Sequence, residues 1–343
     1  MELSVRTSGH QLPRVSVLLP AFNAAATLPA CLASLARQTE ASWECVVVDD
    51  GSTDDTGRLA EEAARRDPRI RPLTVPHAGI VGALTAGLAE CRAPLVARMD
   101  ADDVMHRERL ALQAAALDAA SSLSAVGCHV RLVPRATLTA RRREYEAWLN
   151  GLSTPEDVQR DAFVECPVAH PAVMMRSGLA ALGYRDCGWP EDYDLVLRAL
   201  ATGHRIGIVP RRLISWRDSA ARLSRTDARY SIERFTACKA HHLAAGFLAD
   251  VDTYVLWGYG RTGRLLRAAL GALGKRPSHI VEIKKERIGQ RIHGAPVVPI
   301  ESLRYLRPHR IVASVARDGP RREIRAVLAA MGFTELVDYV CAA

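Results

Sequence analysis

The chain has 343 residues, 48% hydrophobic and 24% charged, enough apolar material for ordinary cores and enough length for two domains. No stretch approaches eighteen uninterrupted apolar residues and the opening MELSVRTSGHQLPR has no apolar segment, so neither a transmembrane helix nor a secretory signal is expected. The formal charge of +8 invites a nucleic-acid partner, but the arginines are dispersed as short pairs and aromatics are only 5%. We therefore expect no nucleic acid; anionic small molecules, or peripheral contact with the negative inner face of a membrane, suit the charge better.

From Arg14 onward, strands and helices alternate. VSVLLP reads as a strand and TLPACLASLARQ as a helix; ECVVVDD follows as a strand and TGRLAEEAARRD as a helix. IRPLTV is a strand, and GIVGALTAGLAEC a small-residue helix able to pack closely on a sheet. APLVARMD is again a strand, RERLALQAAALDAA a helix and SAVGCHVRLV a further strand. This βαβα order argues a doubly wound parallel sheet. In RRREYEAWLNGL, Tyr145, Trp148, Leu149 and Leu152 share one helical face. Core packing accounts for that spacing; a helix touching a membrane or an acceptor is the alternative. The composition breaks after KAHHLAAGFLADVD, which divides the chain into residues 13–245 and 250–343. Eight cysteines are scattered without a C-x-x-C pair, several in apolar runs, as in a cytoplasmic protein with reduced core thiols and no zinc site.

Two strands run straight into carboxylates. VVVDDGSTDDT places Asp49 and Asp50 at the carboxyl end of a buried strand, where open α/β sheets bind ligands. VARMDADDVMH does the same with Asp100, Asp102 and Asp103. A D-x-D at a strand end suits a hard divalent cation and a diphosphate: one carboxylate can take the metal, the other a sugar or ribose hydroxyl. A lone D-x-D is weak, but two acidic strand ends in one run of βα units are much stronger. A third acidic site, Glu191 and Asp192 after Pro190 in GWPEDYDLVLRAL, opens a helix, where the helix dipole alone would favour one acid.

Together VSVLLPAFN, VVVDDGSTDDT, MDADD, HPAVMMR and EDYDLVLR resemble an inverting family 2 glycosyltransferase over about Pro13 to Arg229. The resemblance implies a GT-A type doubly wound mixed sheet, with a nucleotide-diphosphate sugar, uridine-based first, as donor. Pro20, Ala21, Asn23, Asp49, Asp50 and Ser52 would line the nucleoside pocket. Asp100 and Ala101 would meet the ribose or donor sugar, and Asp102 would hold Mn2+ or Mg2+. Asp192 would be the general base, with Glu191 orienting it or binding the acceptor, an unspecified glycan or lipid-linked hydroxyl. The family's usual His after the base falls near Ser219 here, leaving Arg217 or Arg222 to meet phosphate charge.

In the second domain, LWGYGRTGRLL sets Gly258, Gly260 and Gly263 between a strand and a helix, and Glu282 ends the next strand. That is the context of a dinucleotide fingerprint with its ribose-binding acid, and the unit resembles small Rossmann-like modules attached to other sugar-modifying enzymes. It reads as a nucleotide-binding or a docking module. Two other functions stay open: a nucleotide-sugar-binding protein without catalysis, and an NAD(P)-dependent oxidoreductase using the second domain.

Overall fold

A computed structural model describes residues 12–220 and 222–343; the opening stretch read for a secretory signal lies, through Gln11, outside the described residues. The chain divides into two compact units. The first runs to Arg131 and takes in His170–Gly183 and Arg211–Arg217; the second holds Leu132–Ala169, Tyr184–Pro210 and Asp218–Ala343.

In the first unit, the runs of Val and Leu expected as strands form β1 (Val15–Ala21), β2 (Trp43–Asp49), β3 (Ile70–Thr74) and β4 (Leu95–Arg98). Every residue of β1, β2 and β4 is buried, as strands covered on both faces must be. Between them run helices Leu28–Ala36, Thr56–Arg66 and Gly79–Glu90. The last can approach because Gly87 has no side chain: a Cβ there would lie 2.5 Å from both Leu18 Cδ1 and Val48 Cγ2. β1 pairs in parallel with β2 on one side and β4 on the other, and β2 with β3. The order β3-β2-β1-β4 therefore reverses direction at β1, and the carboxyl ends of β1, β2 and β4 border that switch point.

Beyond β4 the sheet becomes mixed. β5 (Val104–Met105), β6 (Leu123–Val133), β7 (Met174–Arg176) and β8 (Arg205–Arg217) complete an eight-stranded sheet of order β3-β2-β1-β4-β7-β6-β8-β5. β7 runs antiparallel to β4 and β6, and β5 antiparallel to β8. The purely parallel sheet expected from the βα alternation holds for the first four strands; the mixed sheet of the GT-A resemblance describes the whole.

Arg109, the first residue of helix Arg109–Ala119, is fully buried with no carboxylate as its hydrogen-bond partner. Its Nη2 donates to the carbonyls of Arg98 (2.7 Å) and Val173 (3.3 Å), and its Nε to Gln113 Oε1 (3.0 Å). Gln113 passes the connection on, its Nε2 donating to Ala172 O (2.8 Å) and Val126 O (3.1 Å). Burial pushes the guanidinium pKa down from its ordinary value, a cost that these carbonyl dipoles offset.

The second unit contains a six-stranded sheet of order β11-β12-β10-β9-β13-β14. Its strands are β9 (Thr253–Trp257), β10 (Arg276–Val281), β11 (Arg291–Ile292), β12 (Ala295–Val298), β13 (Ile311–Ala313) and β14 (Tyr339–Cys341), all paired in parallel except β11. Alternate residues of β9 enter different cores: Tyr254 and Leu256 pack with Leu266 and Leu270 of helix Arg261–Ala272, Val255 and Trp257 with Ile324 and Leu328 of helix Asp318–Ala330. Leu149 and Leu152 of the RRREYEAWLNGL segment are buried and Trp148 packs against the second core, which is the core-packing reading. Six of the eight cysteines are buried, Cys91 is half-buried and Cys187 is exposed; all eight are free thiols.

Replacing Arg109 by Met would leave the Arg98 carbonyl and the Gln113 amide oxygen short of donors. At about 1–3 kcal/mol for each buried group so stranded, Arg109→Met should lower the unfolding free energy by about 2–4 kcal/mol. Urea denaturation followed by far-UV circular dichroism measures it; a loss within error of zero would remove the bridging role.

Candidate active site

The first unit gathers most of the expected donor-site residues at the carboxyl ends of β1, β2 and β4. Pro20 and Ala21 close β1 and are buried. Asn23 adopts a left-handed backbone (φ 49), a conformation that asparagine tolerates. Its side-chain oxygen accepts from Thr53 N (2.9 Å) while its own N–H donates to Ser52 Oγ (2.9 Å). Ala24 N and Ala25 N donate to Thr56 Oγ1 (2.7 Å) and Asp54 Oδ2 (3.0 Å), so the loop after β1 is laced to the loop after β2.

Asp49 and Asp50 are both buried. Asp49 Oδ1 accepts from Ser52 N (3.1 Å), and Oδ2 lies 2.6 Å from where a Cβ on Gly57 would sit, over the first turn of helix Thr56–Arg66. The amino end of that helix favours a negative charge there. Asp50 Oδ1 accepts from Ala78 N (2.8 Å), and Oδ2 pairs with His77 Nδ1 (2.9 Å). The imidazole of His77 in turn stacks on exposed Phe22, centroids 4.2 Å apart. Sequence reasoning missed His77 and Phe22, because neither residue type marks a ligand loop on its own.

At the end of β4, oxygens of Asp100, Asp102 and Asp103 all lie within 4.8 Å of one another. Asp100 pairs with the buried guanidinium of Arg98. Asp103 Oδ1 accepts from Arg217 N (2.7 Å), and Arg217 Nε donates to the Asp102 carbonyl (2.9 Å), so the turn is strapped to the end of β8. Arg217 thus supports the acidic turn through its backbone and side chain. Ala101 is buried within the same turn. Three carboxylates and no sulfur or nitrogen donor make an oxygen set that fits Mg2+ or Mn2+.

Glu191 and Asp192 lie in the second unit, where they open helix Glu191–Ala201 as expected. Glu191 is buried, and the Tyr230 hydroxyl donates to its carboxylate at 2.7–2.9 Å. Asp192 is half-buried, with Oδ1 accepting from Tyr193 N (2.7 Å). The two residues that follow fix the helix start. Tyr193 stacks on Phe235 at 4.3 Å and donates to Ala162 O (2.7 Å). Asp194 has no solvent exposure and receives Arg185 (2.7 and 3.0 Å), Arg198 (2.7 Å), His242 (3.1 Å) and Trp189 (3.3 Å). Burial alone would raise its carboxyl pKa, but the hydrogen bonds from His242, Arg185 and Arg198 outweigh it and hold the group well below the usual carboxylate range. Near Ser219, Asp218 gathers Arg142, Arg222 and Arg225, so Arg222 faces a carboxylate.

Strand order and acidic strand ends place the chain in one class, the GT-A glycosyltransferase fold. A structure of S. aureus TarS in complex with UDP-GlcNAc shares that fold, with TM-score 0.54 and 17% identity over 75% of this chain and 71% of that one. Residues 16–183 match the model for Glycosyl transferase family 2. The succinoglycan biosynthesis protein ExoU of Rhizobium meliloti is 31% identical over 210 residues, 57% of this chain and 59% of that protein. EpsJ of Bacillus subtilis, an uncharacterized glycosyltransferase, is 35% identical over 92 residues, and the match spans 27% of each chain. Among the described residues, no helix is long and apolar enough to cross a membrane.

Because the folded Asp194 carboxyl titrates below the unfolded one, its contribution to stability is complete above about pH 4 and lost as the pH falls through the folded value. Asp194→Asn should therefore be less stable than the parent at neutral pH and lose less on acidification. Urea midpoints measured from about pH 7 to about pH 3 test this; parallel profiles for the two proteins would remove Asp194 from the account.

Proposed function

We propose that the chain is a metal-dependent inverting glycosyltransferase. It moves a sugar from a nucleotide-diphosphate sugar, a UDP-sugar first, to an acceptor hydroxyl in the assembly of a surface polysaccharide or other glycan. The observation that carries this reading is the Asp100–Asp102–Asp103 cluster at the end of β4, beside the switch point of a family 2 domain. The complex of TarS with UDP-GlcNAc and the role of ExoU in succinoglycan biosynthesis support the donor and product classes.

In this reading residues 13–245 carry the transfer. Pro20, Ala21, Asn23, Asp49, Asp50 and Ser52 shape the nucleoside pocket, and their mutual hydrogen bonds set it before the donor arrives, which lowers the ordering cost of binding. Asp100 and Ala101 meet ribose or donor sugar, and Asp102, with its neighbours, holds Mn2+ or Mg2+. When bound, that ion supplies positive charge against the departing nucleoside diphosphate. Asp192 takes the proton of the acceptor hydroxyl as the new bond to the anomeric carbon forms, since an alcohol is too weak an acid to lose it to water at neutral pH. Glu191, gripped by Tyr230, orients the acceptor. The acceptor itself is a glycan or lipid-linked hydroxyl, and peripheral attachment to the inner membrane face would suit the net charge of +8.

Two variants test the scheme. Asp102→Ala should fold and lose manganese-dependent affinity for UDP-sugars; calorimetry showing unchanged, chelator-insensitive binding would end the metal role. Asp192→Asn keeps an oxygen for the Tyr193 N–H and cannot accept a proton. Donor affinity should stay within a few-fold while turnover falls by about 10²–10⁴-fold. A helix-capping residue alone would change neither quantity, because asparagine caps as well as aspartate. Unchanged turnover would move the base elsewhere, Glu191 first.

A further inference from the structure

We propose that the carboxyl edge of the second sheet, within residues 250–343, binds a nucleotide bridged by a diphosphate and carrying an unmodified ribose. Its residues all belong to the second unit, and none is among the donor residues expected in the first. β9 has β10 on one side and β13 on the other, and the chain leaves β9 toward β10 before returning to β13. The gap between the ends of β9 and β13 is therefore a second switch point.

The glycines at that point divide into two kinds. Gly258 (φ +93) turns the chain out of β9, and a Cβ there would lie 2.5 Å from Val315 Cγ2 and 3.1 Å from Ser314 O. A Cβ on Gly263 would come within 2.1 Å of Gly258 O, so this glycine lets helix Arg261–Ala272 close onto the turn. Packing explains both. Gly260 is different: it caps the helix with φ −77, and a Cβ there would meet nothing within 4 Å. Capping explains a glycine there, and so does a ligand that must reach the backbone N–H groups of the helix start.

Ser314 decides between them. It follows β13, is 2% exposed, and its hydroxyl has no hydrogen-bond partner among the described residues. Alternation from Val312, which packs in the core with Leu266 and Leu270, turns Ser314 toward the face covered by helix Arg261–Ala272, where that helix begins. Its carbonyl confirms the place, accepting from Thr262 Oγ1 at 3.2 Å. A buried hydroxyl without a partner is destabilising unless a ligand supplies one, and a phosphate oxygen at the helix start would.

Glu282 supplies the ribose end. It follows β10, is buried, and its Oε1 accepts from Tyr259 N (3.3 Å) and Arg287 Nη1 (2.9 Å), which fixes the carboxylate beside the glycine turn. A carboxylate there accepts from a ribose diol and repels a 2′-phosphate. Ile283, next in sequence and 72% exposed, offers an apolar face to a base.

The test uses the full chain in EDTA, so that binding dependent on the first unit's metal site is suppressed, with NAD+, NADP+, ADP and UDP-glucose titrated by calorimetry. We expect binding of NAD+ or of UDP-glucose, the stronger of the two naming the source of the diphosphate, and NADP+ at least about tenfold weaker than NAD+. Gly260→Val should keep the unfolding temperature of the ligand-free chain and weaken binding at least about tenfold, since the new side chain fills open space at the helix start. Ser314→Ala should weaken binding while holding or raising the ligand-free unfolding temperature, the reverse of what a purely structural serine would do. Failure of all four nucleotides to bind at millimolar concentration, or binding abolished by Asp102→Ala and untouched by Gly260→Val, would overturn the proposal.

Discussion

The first unit depends on one buried cation whose hydrogen bonds all go to neutral acceptors. Arg109 joins the last carbonyl of β4 to Val173 just before β7, and through Gln113 it reaches β6 and the Ala172 carbonyl. These are the places where a parallel sheet turns into an antiparallel one and where main-chain groups are hardest to satisfy by ladder pairing alone. A neutral donor would be less expensive to bury, but none has a planar fork able to serve two strands at once. The position of Arg98, and hence of the acidic turn two residues later, follows from this bridge.

Around that turn and the neighbouring end of β2, like charges are crowded, and several are answered by donors. Arg98 pairs with Asp100, the Arg217 amide with Asp103, and the helix amino end with Asp49. Neutral-pH carboxylates packed this closely repel one another, and the repulsion is held in place by packing that the turn does not itself provide. A divalent cation, as proposed above, would relieve it, and a metal-bound diphosphate would then find the carboxylates already gathered.

Much of this was legible in the sequence, and the reasons for the gaps are physical. Short apolar runs leading into acids, VVVDD and LVARMDADD, identify β2 and β4, since charge gathers where a buried strand reaches the sheet edge. β8 escaped because RIGIVPRRLISWR carries Pro210, Arg211 and Arg212 at its centre, which breaks the alternation that marks a strand. β7, at three residues, is too short to show a period. Nothing local singles out Arg109 within its helix, since its partners are carbonyls of other strands. Asp194 was passed over for the acids before it: helix dipole accounts for acids in a first turn, whereas its partner His242 lies 48 residues on. Gly258, Gly260 and Gly263 were read together as one motif, and only the space around each separates the two that packing requires from the one that it does not.

The start of helix Glu191–Ala201 divides its duties between neighbours. Tyr193 and Asp194 hold it from the buried side, and half-buried Asp192 is, in the proposed scheme, the residue left for chemistry. A chain in which asparagine replaces Asp192 keeps an oxygen for the Tyr193 N–H, the Tyr193–Phe235 stack and the partners of Asp194, so it should open about as often as before. Chaperones and proteases respond to opening, so they have nothing to detect in such a chain. If Asp192 is the base proposed above, inheritance of that change would yield a full complement of well-folded but silent molecules, each still able to sequester donor.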